Sequence, residues 1–193
     1  MSNIAATAPA KFQIAEDKPA QRKILKALMD LEHQGYQFEA AEASFELLIR
    51  RTLGSPWYRR LWELDHYRGV ISRYKDGVAN TEVIVRLRVD GHVEHKVAEG
   101  HGPVDSLHRA LREALHTHYP QVDDLHLVDY KVRVINTQAG TAAKVRVLID
   151  WLDAASQKYF GSVGVSENII EASWLAIADA VEYKLLSEAE KGS

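Results

Sequence analysis

Val97-Ala98-Glu99-Gly100-His101-Gly102-Pro103-Val104-Asp105-Ser106-Leu107 compresses a strand end, a turn and a helix start into eleven residues. Gly100 and Gly102 permit positive φ or a close approach of backbone to another group. Pro103 suits the first helical position, where its missing N–H removes no bond. Asp105 falls in the first turn, where a carboxylate is favoured by the helix dipole. The layout recurs at Val163-Gly164-Val165-Ser166-Glu167-Asn168-Ile169-Ile170-Glu171, where Asn168 is placed to cap and Glu171 to close a capping box. Gly102-Pro103-Val104-Asp105 aligns with Asn168-Ile169-Ile170-Glu171, so the chain contains one unit twice.

Outward from the first copy, residues 67–74 read as a strand and Lys75-Asp76-Gly77 as a turn. Val83, Val85, Leu87 and Val89 alternate with Ile84, Arg86, Arg88 and Asp90, which predicts a half-buried strand. Asp90-Gly91 signals a two-residue hairpin, and residues 92–98 return. Val104, Leu107, Leu111 and Leu115 mark a helix that stops before Pro120. The second copy repeats the order. Residues 127–135 form a strand, Gln138-Ala139-Gly140-Thr141 turns, Val145, Val147 and Ile149 mark the next strand, and 158–165 the third. Ile170, Trp174, Ile177, Val181 and Leu185 share one face of the last helix. The expected fold is α+β: two βββα repeats with pseudo-twofold symmetry, each too small to bury its own sheet alone.

Two helices precede the repeats. Residues 20–34 place Ile24, Leu25, Leu28 and Leu31 on one face, with Gly35 as the stop. Residues 38–53 place Ala40, Ala43, Leu47 and Leu48 inward. A short Gly-Tyr turn predicts a hairpin of helices. The organisation is a flexible lead-in at 1–19, a helical linker at 20–62, the repeat domain at 63–187 and a tail at 188–193.

The 193 residues are 46% hydrophobic and 26% charged, with a net charge of −3. That charge offers no general attraction to nucleic acid or anionic membranes. With no cysteine, thiol catalysis and thiolate metal sites are excluded. No apolar run approaches the ~20 residues of a membrane span. No secretory signal is evident, and a cytoplasmic location is expected. His116-Thr117-His118 imitates a His-x-His metal pair, but i and i+2 diverge on a helix, so no metal site is expected. His92, His95 and His126 read as surface groups. Arg86, Arg88, Arg133 and Arg146 lack the aromatic platform of an RNA-binding sheet and read as a solvated face.

The runs Ala98-Glu99-Gly100-His101-Gly102-Pro103-Val104, Leu127-Val128-Asp129-Tyr130-Lys131-Val132, Gly140-Thr141-Ala142-Ala143-Lys144-Val145 and Val163 through Ser173 together carry a resemblance. The chain resembles the C-terminal allosteric (LeuA-type dimerisation) domain of the 2-isopropylmalate synthase and (R)-citramalate synthase family over residues 21–186. The stretch Gly35-Tyr36-Gln37-Phe38-Glu39-Ala40-Ala41 is most similar to the linker of the citramalate synthase branch. The family's acyl transfer needs a metal-holding TIM barrel of about 250 residues, which this chain lacks. The resemblance therefore implies a regulatory and dimerising part, excised or separately encoded, that is not an enzyme alone and carries no cofactor.

By the same resemblance, a branched-chain amino acid is the effector, isoleucine before leucine, with feedback inhibition as its purpose. Its site is Gly100, His101, Gly102, Val104 and Asp105 from the first repeat, with Leu127, Tyr130, Val134, Thr141 and Ile169 from the second. The partners implied are a second copy, a catalytic barrel and the effector. The chemistry suits an amino acid: helix-start N–H groups for a carboxylate, Asp105 or turn carbonyls for an ammonium, aliphatics for the side chain. Tyr130 and Val134 share strand parity; Leu127 does not, so it must precede the regular strand or sit at a bulge. The alternative is a structural dimerisation module in which the glycines only turn and the aliphatics only pack. Some of Trp57, Trp62 and Trp174 are expected to be buried between subunits.

Overall fold

Helix α1 (Lys18–Gln34) opens with Asp17 accepting the Ala20 N–H at 2.9 Å, and closes at Gly35 in the left-handed region. The computed structural model describes residues 12, 14, 16–135 and 143–191. The turn expected at 138–141 lies outside them. Helix α2 (Glu42–Leu53) begins four residues later than expected. Ala40 is therefore exposed and non-helical, and the connection runs over 35–41 rather than a two-residue turn. Ile24 and Leu28 of α1 are buried, whereas Leu25 faces out. Phe12 and Ile14 pack into the same cluster as α1 and α2, with Phe12 edge-on to Trp57.

Two three-stranded antiparallel sheets follow: β1 (Trp62–Arg73), β2 (Ala79–Val89) and β3 (His92–Gly100), then β4 (Leu125–Val134), β5 (Val145–Asp153) and β6 (Lys158–Ser166). Helix α3 (Pro103–His116) follows the first sheet and α4 (Ile169–Lys191) the second. β1 and β4 start five and two residues earlier than expected. The Asp90-Gly91 hairpin is formed, with both residues at positive φ. Val83, Val85, Leu87 and Val89 are buried, as their alternation requires.

The centre strand of each sheet is covered, and the two repeats share one core. Corresponding positions on the two helices reach across the pseudo-twofold. Trp174 of α4 packs against Trp62 and Tyr67 of β1, and His108 of α3 meets Trp151 of β5 edge-on at 5.1 Å. Of the three tryptophans, some of which are expected between subunits, Trp174 is taken up by the chain's own core. Trp174 is buried within the chain, and Trp57 and Trp62 have ring partners there.

Helix α2 docks on the outer edge of β6. An edge strand leaves alternate N–H and C=O groups unpaired. Here the Gly161 N–H donates to Glu42 Oε2 at 2.9 Å and the Val163 N–H to Ser44 Oγ at 3.0 Å. A Cβ at residue 161 would run into the Ala40 carbonyl oxygen, so only glycine lets the chain come this close. Behind this seam Arg51 pairs with Asp179 and Glu182 of α4, and buried Arg50 pairs with Glu46 and Glu190.

Two outcomes test this packing. Gly161→Ala should cost about 1–3 kcal/mol, read from the urea midpoint, because backbone must move to admit the methyl. Burial and nearby Arg112 push the His108 imidazole down from 6.5 to about 4. A histidine depressed in the folded state stabilises above its unfolded pKa, and that contribution drains as pH falls from 6.5 towards 4. Wild type should lose about 2 kcal/mol more than His108→Leu between pH 7 and pH 5 in parallel urea titrations.

Candidate functional site

The second-repeat candidates lie together on the inner face of β4. The ladder slips between Leu127 and Asp129, so Val128 is the extra residue of a β-bulge. The bulge puts Leu127 opposite Trp151, Tyr130 opposite Ile149 and Val134 opposite Val145. All three therefore share one face, despite the parity difference. α4 lies over β5 and β6 and leaves much of that face bare: Leu127 is 36% exposed, Val132 39%, Val134 54% and Ile169 43%. Tyr130 bridges to the helix through a 2.8 Å hydrogen bond between its hydroxyl and Ser173 Oγ, and Ser173 donates to the Ile169 carbonyl at 2.7 Å. Leu127, Tyr130, Val134 and Ile169 thus form one apolar surface with a hydroxyl pair at its centre. Thr141 lies outside the described residues.

The start of α4 is built differently from the capping box expected of it. Asn168 Oδ1 does cap, accepting the Ile170 N–H at 2.8 Å. The Asn168 N–H, however, donates to Ser166 Oγ at 3.1 Å. Glu171 instead accepts the Tyr67 hydroxyl from β1. Burial, then the Glu171 carboxylate, hold the Tyr67 phenol far above its ordinary pKa, so it stays a donor. Tyr67 and Tyr130 are repeat equivalents, each following a bulge in Leu64-Asp65-His66-Tyr67 and Leu127-Val128-Asp129-Tyr130. That Leu-x-x-Tyr echo is visible in sequence and points to Ser173 and Glu171 as the hydroxyl partners that sequence reasoning missed.

The first-repeat candidates form a separate turn at the start of α3. Gly100 needs close approach: an added Cβ would meet Asp105 Oδ2 at 2.6 Å and the Ser106 nitrogen at 2.9 Å. Gly102 needs neither freedom expected of it. Its φ of 178° is ordinary extended backbone, and nothing lies within 4 Å of an added Cβ. Asp105 is committed locally, accepting the His101 N–H at 3.1 Å and Arg109 Nε at 2.9 Å. Burial pushes the Asp105 carboxyl up, but the His101 N–H and Arg109 outweigh it and hold the group below the usual range. Val104 is half-buried at the edge of the core. Among the described residues, no hydrogen bond or ion pair joins this turn to the β4 surface.

His116 and His118 diverge: His116 Nδ1 lies 2.8 Å from Asp123 and His118 Nε2 3.0 Å from Glu94. Arg86 and Arg88 flank Asp65 on the exposed face of the first sheet. Arg146 departs from the solvated face expected of it, since its Nε donates to the Gly35 carbonyl at 2.6 Å beneath the helical linker.

The two glycines should separate in stability measurements. Gly100→Ala should cost about 1–3 kcal/mol through the steric conflict. Gly102→Ser should stay within about 0.5 kcal/mol of wild type or gain stability, because serine is a good N-cap at extended φ. Thermal and urea melts of both variants check this.

Residues 39–185 match the LeuA allosteric (dimerisation) domain. The chain is 46% identical to the (R)-citramalate synthase of Aquifex aeolicus, over 94% of this chain and 34% of that protein. It is 45% identical to the (R)-citramalate synthase of Geobacter sulfurreducens, over 100% of this chain and 36% of that protein. It is also similar to the 2-isopropylmalate synthase of Salinibacter ruber, 35% identical over 66% of this chain and 20% of that protein. The chain spans about a third of the length of the citramalate synthases it matches. No helix among the described residues is long and apolar enough to cross a membrane. With two βββα repeats preceded by two helices, and a match covering most of its length, the chain belongs to the LeuA allosteric (dimerisation) domain family.

Proposed function

We propose that this chain is the sensing and self-associating part of a citramalate synthase-type acyltransferase, and that it binds a branched-chain amino acid, isoleucine first, for end-product inhibition. The observation that carries the reading is the bare apolar face of β4 beside the start of α4. Leu127, Val132, Val134 and Ile169 are aliphatic, exposed and contiguous with the Tyr130–Ser173 hydroxyl pair. Such a surface suits a second copy of the chain, with a small aliphatic ligand enclosed at the seam. The Gly100–Asp105 turn then supplies backbone N–H groups at a helix start for the ligand's carboxylate. Asp105 is a weaker candidate for the ammonium, because Arg109 and the His101 N–H already occupy it. Acyl transfer belongs to a catalytic barrel outside this chain. Coupling between effector and substrate is reciprocal by linkage: each weakens the other to the same degree.

A second reading, a dimerisation module without an effector, draws support from that commitment of Asp105 and from the undemanding geometry of Gly102. One experiment separates the two. Light scattering should give a dimer at micromolar concentration. Isoleucine should raise the melting temperature by mass action, more than leucine, valine or alanine. Gly102→Asp places a carboxylate where the ligand's own carboxylate docks, so the variant should remain a folded dimer and lose the response. A dimer with a flat response to all four amino acids would support the purely structural module, and a monomer would end both readings.

A further inference from the structure

The outer face of the second sheet carries two arginines placed directly opposite one another. Arg133 of β4 and Arg146 of β5 are cross-strand partners. Like charges in that position destabilise a sheet. The first sheet handles its outward arginines differently, with Arg86 and Arg88 lying 3.2 and 3.4 Å from the two oxygens of Asp65. Nor does the repeat account for the pair. With Tyr67 equivalent to Tyr130, the positions matching Arg133 and Arg146 are Val70 and Glu82, themselves cross-strand partners.

No counter-charge serves the pair among the described residues. Arg146 spends Nε on the Gly35 carbonyl at 2.6 Å and Nη1 on Gln37 Oε1 at 2.5 Å, both neutral acceptors. No hydrogen bond or ion pair engages Arg133 among the described residues. Lys131, one step along β4, already holds Asp129 at 2.7 Å and Asp150 at 3.0 Å. The residues joining the two strands, 136–142, are Asn-Thr-Gln-Ala-Gly-Thr-Ala, followed by Ala143 and Lys144, with no carboxylate among them. Burial and the Arg133 charge both lower the Arg146 pKa, consistent with a repulsion left unrelieved.

The pair faces a cleft of about 170 Å³ between the sheet and the α1–α2 connection, lined by Gln37, Glu39, Lys131, Arg133, Arg146 and Leu148. That is room for one tetrahedral oxyanion, and the cleft is open to solvent on one side. Glu39 lines the same cleft, but no ion pair joins it to either arginine among the described residues. We propose that Arg133 and Arg146 bind a phosphate-type dianion in this cleft, either free phosphate or the phosphate end of a larger ester. Two negative charges offset both guanidinium groups. Tetrahedral oxygens accept from two planar forks at once, which a single carboxylate does less well. Arg133 brings all its donors, and Arg146 arrives already oriented by Gly35 and Gln37.

The test is titration of the full chain with inorganic phosphate, followed by calorimetry and by phosphorus NMR, with sodium chloride holding ionic strength constant. Saturable binding to wild type is expected. Arg133→Gln should weaken it about tenfold, the loss of charge-assisted hydrogen bonds. Arg88→Gln, whose arginine is already matched by Asp65, should change it less than about twofold. In phosphate-free buffer Arg133→Gln should melt no lower than wild type, because it removes a repulsion, and it should keep any response to isoleucine. Glycerol 3-phosphate separates the sources: tighter binding than inorganic phosphate assigns the cleft to an ester, weaker binding to the free ion. A wild-type response no greater than that to chloride, equal binding by Arg133→Gln, or a preference for malonate over phosphate would overturn the proposal.

Discussion

Neither three-stranded sheet is large enough to bury its inner face alone, and helix α4 lies where the two repeats share one core. It is apolar around most of its circumference rather than along one stripe. Ala172, Ala176, Ile177, Ala180, Val181 and Leu185 are all buried. One side lies on β5 and β6, Trp174 reaches β1, and Asp179 and Glu182 receive Arg51 from α2. Even its buried Lys184 is matched, with Asp153 at 2.7 Å and Glu188 at 3.2 Å. Unpaired, that ammonium would be costly to bury.

The same helix contacts both the candidate surface and α2. Its first turns carry Ile169, Glu171 and Ser173, which meet β4 and β1. Two turns further on, Asp179 and Glu182 grip α2. β6 makes the same connection by another route, from Ser166 beside the α4 cap to Gly161 and Val163 under Glu42 and Ser44. Tight packing of this kind passes small displacements along instead of absorbing them. Two chains of contacts therefore run from the α4 start to α2.

Much of this was readable from residues alone, because strand alternation and helix punctuation are local. Val83 through Val89, the Asp90-Gly91 hairpin and Gly35 as a helix stop all follow from backbone preference and burial period. The parity of Leu127 and Tyr130 left two choices, a start before the regular strand or a bulge, and the structure takes the bulge, at Val128. What could not be read were choices between partners distant in sequence. Glu171 prefers the Tyr67 hydroxyl to its own helix end, and His108 is drawn inward by Trp151, although its residue type suggests a surface. Gly102 misled for a related reason. A glycine signals freedom without saying whether the backbone uses it, and here the φ is ordinary while Gly100 meets the steric demand.

The pseudo-twofold is broken at the sheet edges, because α2 covers the edge of β6 while no element among the described residues plays that part for β3. Open edges invite other strands to add to them, and runaway addition is the road to fibrils. β3 carries Glu94, His95, Lys96 and Glu99, so a second strand sliding alongside would have to accommodate a row of charge. The bulges in β1 and β4 bend the opposite edges of both sheets out of the flat geometry that stacking needs. Charge along β3 and the bulges in β1 and β4 thus disfavour the addition of further strands at the edges that α2 leaves uncovered.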